Sequence, residues 1–479
     1  MSVENSNDFC LLITADTFRY DHLGLDFCSA ISALQQESMT VENCFSTGSG
    51  TSSAFPGILA SSYPLDYGYR GLNDDHTAVA EWLSGQGIQT VGVTSSSHAS
   101  SLFNYNRGFD DFHEDVSYRE DAVNSPPTSE VIYHRLKQLA MKTPVTRRLG
   151  SAALEFFRKT GQGSFQYPYQ RAETVTDNAI SAINQAAPDD DTPVFAWVHY
   201  MEPHSPYYPP DDILDDHYSG SYSKSDVNKL LTKWYENRDP LWTDTDEPYT
   251  LDEDEITVLK SYYRAQIGYL DRELGRLFDW LRDQSLYDDS LIMFTADHGD
   301  EFFEHGDFGH RQKLYNELIH VPFILRDGGQ QGSIGEVASH VDIGPTVCDW
   351  FGVDAASEWR GSSLLPIIHG EQQELQREYV LSELSHRSID DGYGGDVRPE
   401  EMILAVMTRE WKLIYNKQSD STELYRLKEP ETPANNRFET DREAVDKLLA
   451  IAHQREDSIT ARTADRQELS DEVRTRLHE

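Results

Sequence analysis

Lysine is scarce in this chain: of its 41 basic residues 12 are lysine, set against 82 acidic residues and a formal net charge of −41. A surface so poor in positive charge excludes nucleic acid as a partner, because phosphate backbones are held by basic patches. Cysteine is scarce too. Cys10, Cys28, Cys44 and Cys348 show no paired spacing, which argues against a disulfide framework and suits a reducing compartment. No apolar run approaches the ~20 residues that span a bilayer. The opening MSVENSNDFCLLITAD lacks a basic segment followed by a long apolar one, so no signal peptide is read. These absences predict a cytoplasmic protein. The acid runs from end to end of the chain, as expected of a surface solvated for molar salt, where screening removes self-repulsion.

What is present is a repeated pattern. FCLLITAD is a nearly continuous apolar run, as in a strand buried on both faces of a parallel sheet. IQTVGVTS, PVFAWVHY, SLIMFTAD and HVPFILRD repeat it. Helical patterns lie between them, such as TAVAEWLSGQG and the segment carrying Ile267, Leu270, Leu274, Leu277 and Leu281 on one stripe. Strands alternating with helices predict an α/β fold: a doubly wound, mostly parallel sheet flanked by helices. Residues 115–170 read as a helical insertion and 205–255 as an acidic surface excursion. From EYVLSEL onward, short alternating runs predict a small antiparallel sheet. The expected division is a catalytic domain over 1–370, a small α+β subdomain over 371–440 and a charged helical tail over 441–479.

In an open parallel sheet the functional crevice lies beyond the carboxyl ends of the strands. Asp16 ends the first apolar run, Asp297 ends a later one, and His298 follows at once. Each alone reads equally as a helix cap or a loop residue. Together they form a donor set for one hard-to-borderline divalent ion, Ca, Mn or Mg. His199 and His204 follow a third strand, and His305 and His310 lie on the loop after Asp297.

These residues carry a family resemblance. ITADTFRYDHLGL and FTADHGDEFFEHGDFGH resemble the two metal-binding stretches of the sulfatases, within the alkaline phosphatase superfamily. VHYMEPHSPY, GYLDRELGRL, HVDIGPTVCDW and RGSSLLP are similar to further blocks in the same order. The resemblance implies an alkaline phosphatase-like fold and a metal-dependent hydrolase of sulfuric or phosphoric esters. With the acid surplus, it points to the sulfatase-like hydrolases of haloarchaea. A phosphoethanolamine-type transferase and a catalytically silent binding scaffold are the alternatives. The partner implied is an anionic small-molecule, glycan or lipid ester.

The stretch STGSGTSSAFPGILASSYPL has no charged residue. Its GILASSYP resembles the segment that trails the sulfatase nucleophile motif, Cys/Ser-x-Pro-x-Arg. Counting back puts Thr51 at the nucleophile and Phe55 at the arginine. A helix over Ser53–Ala60, opening just before Pro56, would place Thr51 at a helix amino terminus, where backbone N–H groups favour an anionic ester. Ser49, Ser52 and Ser53 are neighbouring hydroxyls, and a simple helix cap is the plain alternative. Threonine carries a methyl on the carbon that would have to become the family's formylglycine aldehyde, so the expected mechanism is a covalent Thr51 ester opened by water. In the family's terms Thr51 is also a metal ligand beside Asp16, Asp297 and His298, and Thr17 stands where a second metal aspartate is common. His204 and His310 would serve the leaving group, with His98, His199 and His305 as further candidates. His98, His199, Arg19 and Lys313, with Arg107, are the expected substrate binders.

Overall fold

The computed structural model describes residues 8–67, 71–114, 169–186, 192–237, 250–385 and 397–478. The expected insertion over 115–170 lies almost wholly outside them. Fourteen strands are found among the described residues: β1 (Phe9–Ala15), β2 (Met39–Phe45), β3 (Gln89–Thr94), β4 (Asp111–Glu114), β5 (Val194–Tyr200), β6 (Leu291–Ala296), β7 (Glu301–Phe302), β8 (Phe308–Gly309), β9 (Phe323–Arg326), β10 (Gly332–Ser339), β11 (Val380–Ser385), β12 (Met402–Met407), β13 (Trp411–Asn416) and β14 (Ser421–Arg426).

β1 is buried along its whole length, and so are β5 and β6 on either side of it. The eight-stranded sheet runs β10-β2-β9-β6-β1-β5-β3-β4. Its pairings are parallel except for β9, which lies antiparallel to both β2 and β6. Burial on both faces makes such a strand apolar throughout in either direction, so its composition carries no sign of its sense.

Helix α1 (Ser29–Gln36) and helix Ala172–Ala186 pack against the long helix Glu253–Asp283. That helix opens on a capping box: Asp252 accepts the Glu255 amide at 2.8 Å while Glu255 accepts the Asp252 amide at 3.0 Å. Its predicted stripe, Ile267 to Leu281, is fully buried. Within the stretch expected as a surface excursion, the described residues include two helices, Asp211–His217 and Lys224–Asn237. They turn Asp211, Asp212, Asp215, Asp216 and Asp226 outward and bury Leu214, Val227, Leu230, Leu231 and Trp234. An amphipathic helix can be strongly acidic and still supply core.

Helix α2 (Thr51–Ala60) packs with helix Ile343–Trp350. The four-stranded antiparallel sheet β11-β12-β13-β14 follows, and helix Arg442–His478 lies on β12 and β13. Val445, Leu448, Ala452 and Ile459, at helical spacing, bury into a cluster with Leu404, Val406, Leu413 and Leu424. Each large apolar side chain so buried contributes roughly 1.5–3 kcal/mol. Among the described residues no helix is long and apolar enough to cross a membrane.

Candidate active site

β1 and β6 are neighbours in register, so the residues just past their ends meet. The Asp16 amide reaches the Tyr200 carbonyl at 2.9 Å and the Asp297 amide reaches the Ala15 carbonyl at 3.2 Å. Both carboxylates are thereby held at the strand tips, almost fully buried. Asp297 Oδ1 accepts the amides of Thr17 and His298 at 3.2 and 2.8 Å. Its Oδ2 and Asp16 Oδ1 are buried without a hydrogen-bond partner. Thr17 lies between them with φ 63, a left-handed conformation that costs a β-branched residue of order 1–2 kcal/mol, and its hydroxyl is also buried without a partner. Gly299 is required after His298, because a Cβ there would sit 2.1 Å from the Glu317 carbonyl oxygen.

His298 completes the cluster. Its Nδ1 lies 3.0 Å from the Gly299 carbonyl and so carries the proton, which leaves the Nε2 lone pair toward the acids. That Nε2 is 3.6 Å from Asp16 Oδ1 and 3.6 Å from Asp297 Oδ2. One ligand atom from each of the three residues falls within 4.8 Å of the others.

Thr51 arrives from the other side. Gly50, in extended backbone, accepts the amides of Ser53 and Ala54 at 2.9 and 3.0 Å, and the helix starts at Thr51. It thus begins two residues earlier than expected and carries Pro56 inside. Pro56 removes one rung of the ladder; the Thr47 hydroxyl, donating to the Ser53 carbonyl at 2.8 Å, ties that turn to the preceding loop. Thr51 Oγ1 stands 3.4 Å from His298 Nε2, so the hydroxyl and the donor set face each other.

The charge state follows from burial. Asp16 is held well above the usual carboxylate range, first by burial and then by Asp297 and Asp300. Burial is also the main cause that pushes Asp297 up to about 6 and His298 down to about 3. Two buried acids and a neutral imidazole lack a positive partner. Their orphaned oxygens converge, and the hard oxygen donors with one imidazole fit a divalent cation.

A cleft of about 280 Å³ opens over this cluster, lined by Asp16, Ser49 to Ser53, Ser96, His98, Met201, His204, His310, Gln312 and Leu384. Of the expected residues, the structure therefore brings Asp16, Thr51, Asp297, His298, His204 and His310 together, with the exposed His98 at the rim. Asp300, not singled out from the sequence although it stands in the same DHGD run, fixes His310 by a 2.9 Å contact to Nδ1. Leu384 was also missed, since it comes from β11 of the other sheet.

Several expectations need correction. His199 does not face the cleft: it is fully buried beneath Asp16, 3.9 Å from Oδ2, with Nδ1 on the Thr14 hydroxyl. His305 stacks on Tyr315 and pairs with Glu317. The expected cationic lining is absent from Arg19, Lys313 and Arg107. Arg19 grips Asp21 and Glu304, Lys313 grips Glu301, and Arg107 reaches Glu81 and the Asn73 carbonyl. In a chain this acidic, nearby carboxylates capture the cations first.

A mostly parallel sheet whose crevice holds a buried Asp–Asp–His cluster under a helix-borne hydroxyl defines the class, an α/β protein with a candidate metal site. The chain belongs to the sulfatase family, whose model matches residues 9–353; the N-sulphoglucosamine sulphohydrolase C-terminal model matches residues 303–457. Multifunctional alkaline phosphatase superfamily protein PehA of Trinickia caryophylli is 35% identical over 125 residues, 25% of this chain and 24% of that protein. Arylsulfatase K of Gallus gallus is 27% identical over 262 residues, 50% of this chain and 46% of that protein. The matched segments thus span between about a quarter and about half of these relatives. Among solved structures, phosphonate monoester hydrolase SpPMH from Silicibacter pomeroyi shares the fold with a TM-score of 0.65 at 19% identity, over 93% of this chain and 94% of that one.

Proposed function

We propose that this protein hydrolyses esters of sulfuric or phosphoric acid, with Thr51 as the nucleophile. The observation that carries the reading is Thr51 Oγ1 at the first turn of α2, facing a buried Asp–Asp–His set with two orphaned carboxylate oxygens. Asp16, Asp297, His298 and Thr51 would hold one divalent cation. Bound there, it would supply positive charge that eases loss of the Thr51 proton and neutralises the ester oxygens. Thr51 Oγ1 then bonds to the sulfur or phosphorus as the bond to the alcohol oxygen breaks. The proton that Thr51 gives up is matched by the one the alcohol gains, with His204 and His310 at the cleft to transfer it. The amino end of α2, where the helix dipole is positive, would favour the anionic ester on Thr51. Water attacks the central atom in the second step, releasing the inorganic anion and restoring the hydroxyl.

The threonine ester decides between the two acids. It has no elimination route, so its opening depends on direct attack at the central atom, for which phosphorus in line is the better electrophile. The natural substrate would be an anionic small-molecule, glycan or lipid ester, with phosphate esters turned over faster than sulfate esters. The test is steady-state hydrolysis of para-nitrophenyl phosphate, its diester and para-nitrophenyl sulfate by wild type, Thr51→Ser and Thr51→Ala, with mass spectrometry of the Thr51 peptide. Thr51→Ala should lose at least about 10³-fold in turnover while keeping metal, and Thr51→Ser should keep part of it. Full activity in Thr51→Ala, or faster multiple turnover on the sulfate, overturns the mechanism.

A further inference from the structure

The strand that contributes Leu384 to the cleft also holds the loop leading into Thr51. The Ser382 hydroxyl donates to the Ser46 carbonyl at 2.5 Å, and the Glu383 amide donates to the Thr47 carbonyl at 2.8 Å. Contact is so close that a Cβ on Gly48 would meet the Glu383 carbonyl oxygen at 3.1 Å and Ser53 Oγ at 2.4 Å. The Glu383 side chain turns the other way, fully buried. Arg455, from helix Arg442–His478, binds it through Nε on Oε1 and Nη2 on Oε2, at 2.5 and 3.0 Å. Glu383 Oε2 also accepts the Leu65 amide at 3.3 Å, and Arg455 Nη1 reaches Asp66 Oδ1 at 3.0 Å. Residues 46 and 47 precede α2, and 65 and 66 follow it. A single guanidinium therefore binds Asp66 in the chain leaving the helix that carries Thr51 and, through the Glu383 side chain, the strand whose Ser382 hydroxyl and Glu383 amide hold the chain entering it.

We propose that Arg455 is a positioning residue: through Glu383 and Asp66 it sets the place of α2 over Asp16, Asp297 and His298, so that the carboxy-terminal helix controls the rate of chemistry without touching the cleft. The proposal rests on α2 carrying the reacting hydroxyl. Misplacement of a reacting group by about 1 Å costs on the order of 10²-fold, and an ammonium in place of the planar fork cannot span Glu383 and Asp66 together. Arg462 is the internal control. It also binds Asp66 but is half-exposed and makes no contact with Glu383.

Arg455→Lys, Arg455→Met and Arg462→Met would be compared with wild type for kcat and KM on para-nitrophenyl phosphate, metal content, Tm, and hydrogen exchange of the 46–51 amides. We expect kcat to fall about 10-fold in Arg455→Lys and about 100-fold in Arg455→Met, with KM and metal content within about twofold. Exchange at 46–51 should rise in step. Arg462→Met should lower Tm yet leave kcat and that exchange unchanged. Arg455→Lys keeps the buried charge, so it remains informative where Arg455→Met does not fold. Wild-type kcat and exchange in Arg455→Lys, or equal losses in Arg462→Met, overturn the proposal. The Thr51 peptide is read separately: its mass tests the nucleophile, while the exchange difference tests the clamp whichever hydroxyl reacts.

Discussion

Two buried charge clusters stand at either end of α2, and they are finished differently. Behind its carboxyl end, Asp66 and Glu383 face Arg360, Arg455 and Arg462, and no side-chain atom of the Asp66–Glu383–Arg360–Arg455 set is buried without a partner. At its amino end no arginine or lysine among the described residues pairs with Asp16 or Asp297, whose basic neighbours in reach are imidazoles, and Asp16 Oδ1 and Asp297 Oδ2 stay orphaned. A saturated cluster is complete as a piece of architecture. An unsaturated one of equal burial is the half of a site that waits for a positive partner, since leaving buried acids uncompensated is costly.

The contrast breaks most sharply at a ligand. Asp297→Ala should strip the metal and lower turnover by roughly 10³-fold or more, as loss of a hard donor leaves too few to hold the ion. Elemental analysis showing unchanged metal would end the assignment. The matching change in the other cluster, Arg360→Met, should leave metal in place. It removes two 3.0 Å bonds to Asp66, but Arg455 and Arg462 remain and Arg360 is partly exposed, so the cost should be about 1–3 kcal/mol, below that of a wholly broken buried pair. Denaturant midpoints measure it.

Acidity separates the clusters by sign. Asp66 is held below its ordinary range, the arginines outweighing its burial, so its contribution is present above about pH 4 and is lost as pH falls. Asp297, raised to about 6, acts oppositely in metal-free protein. The folded state holds a proton that the unfolded state has released, so stability falls as pH rises from about 4 to 6, by an amount on the order of 2–3 kcal/mol. The difference between wild type and Asp297→Asn, followed by denaturation in chelator, should show that slope, and saturating metal should abolish it. A flat difference would mean the acids already have a counter-charge. The smallest effect is expected at Thr17, where Thr17→Gly should relieve the left-handed strain and raise the metal-free Tm by the equivalent of about 1 kcal/mol. A fall would place the threonine among the stabilising contacts.

The unsaturated cluster was the legible one. Asp16, Asp297 and His298 each follow a continuous apolar run, so strand, strand end and donor are read together. The saturated cluster is assembled from residues 66, 360, 383, 455 and 462, which no local pattern connects. The same blindness misplaced Arg19 and Lys313: composition shows that cations are few, and only the fold shows that Asp21, Glu304 and Glu301 take them. β2 and β10 escaped notice because MTVENCF and GSIGEVAS carry polar residues within the strand. The antiparallel sheet was legible from its succession of short strand-like runs, although β11 and β12 are buried along their whole length and MILAVM does not alternate.

Phe55 gives the fold a direction in which it can and cannot be rebuilt. Its ring is fully buried, 5.1 Å from His199, 5.4 Å from Trp197 and 5.5 Å from Tyr105. With Thr51 as the proposed nucleophile, installing the Cys/Ser-x-Pro-x-Arg motif that the sequence resembles would take more than a cysteine at position 51. An arginine at 55 would place a guanidinium among three rings, stripped of water, and would pull apart the packing that seats α2. Converting this scaffold to an oxidised, aldehyde-bearing nucleophile would therefore demand a new interior as well as a new reactive residue. By the same reasoning, exchanges confined to the hydroxyls of the helix tip leave that interior whole, and a directed search for altered ester preference should begin there.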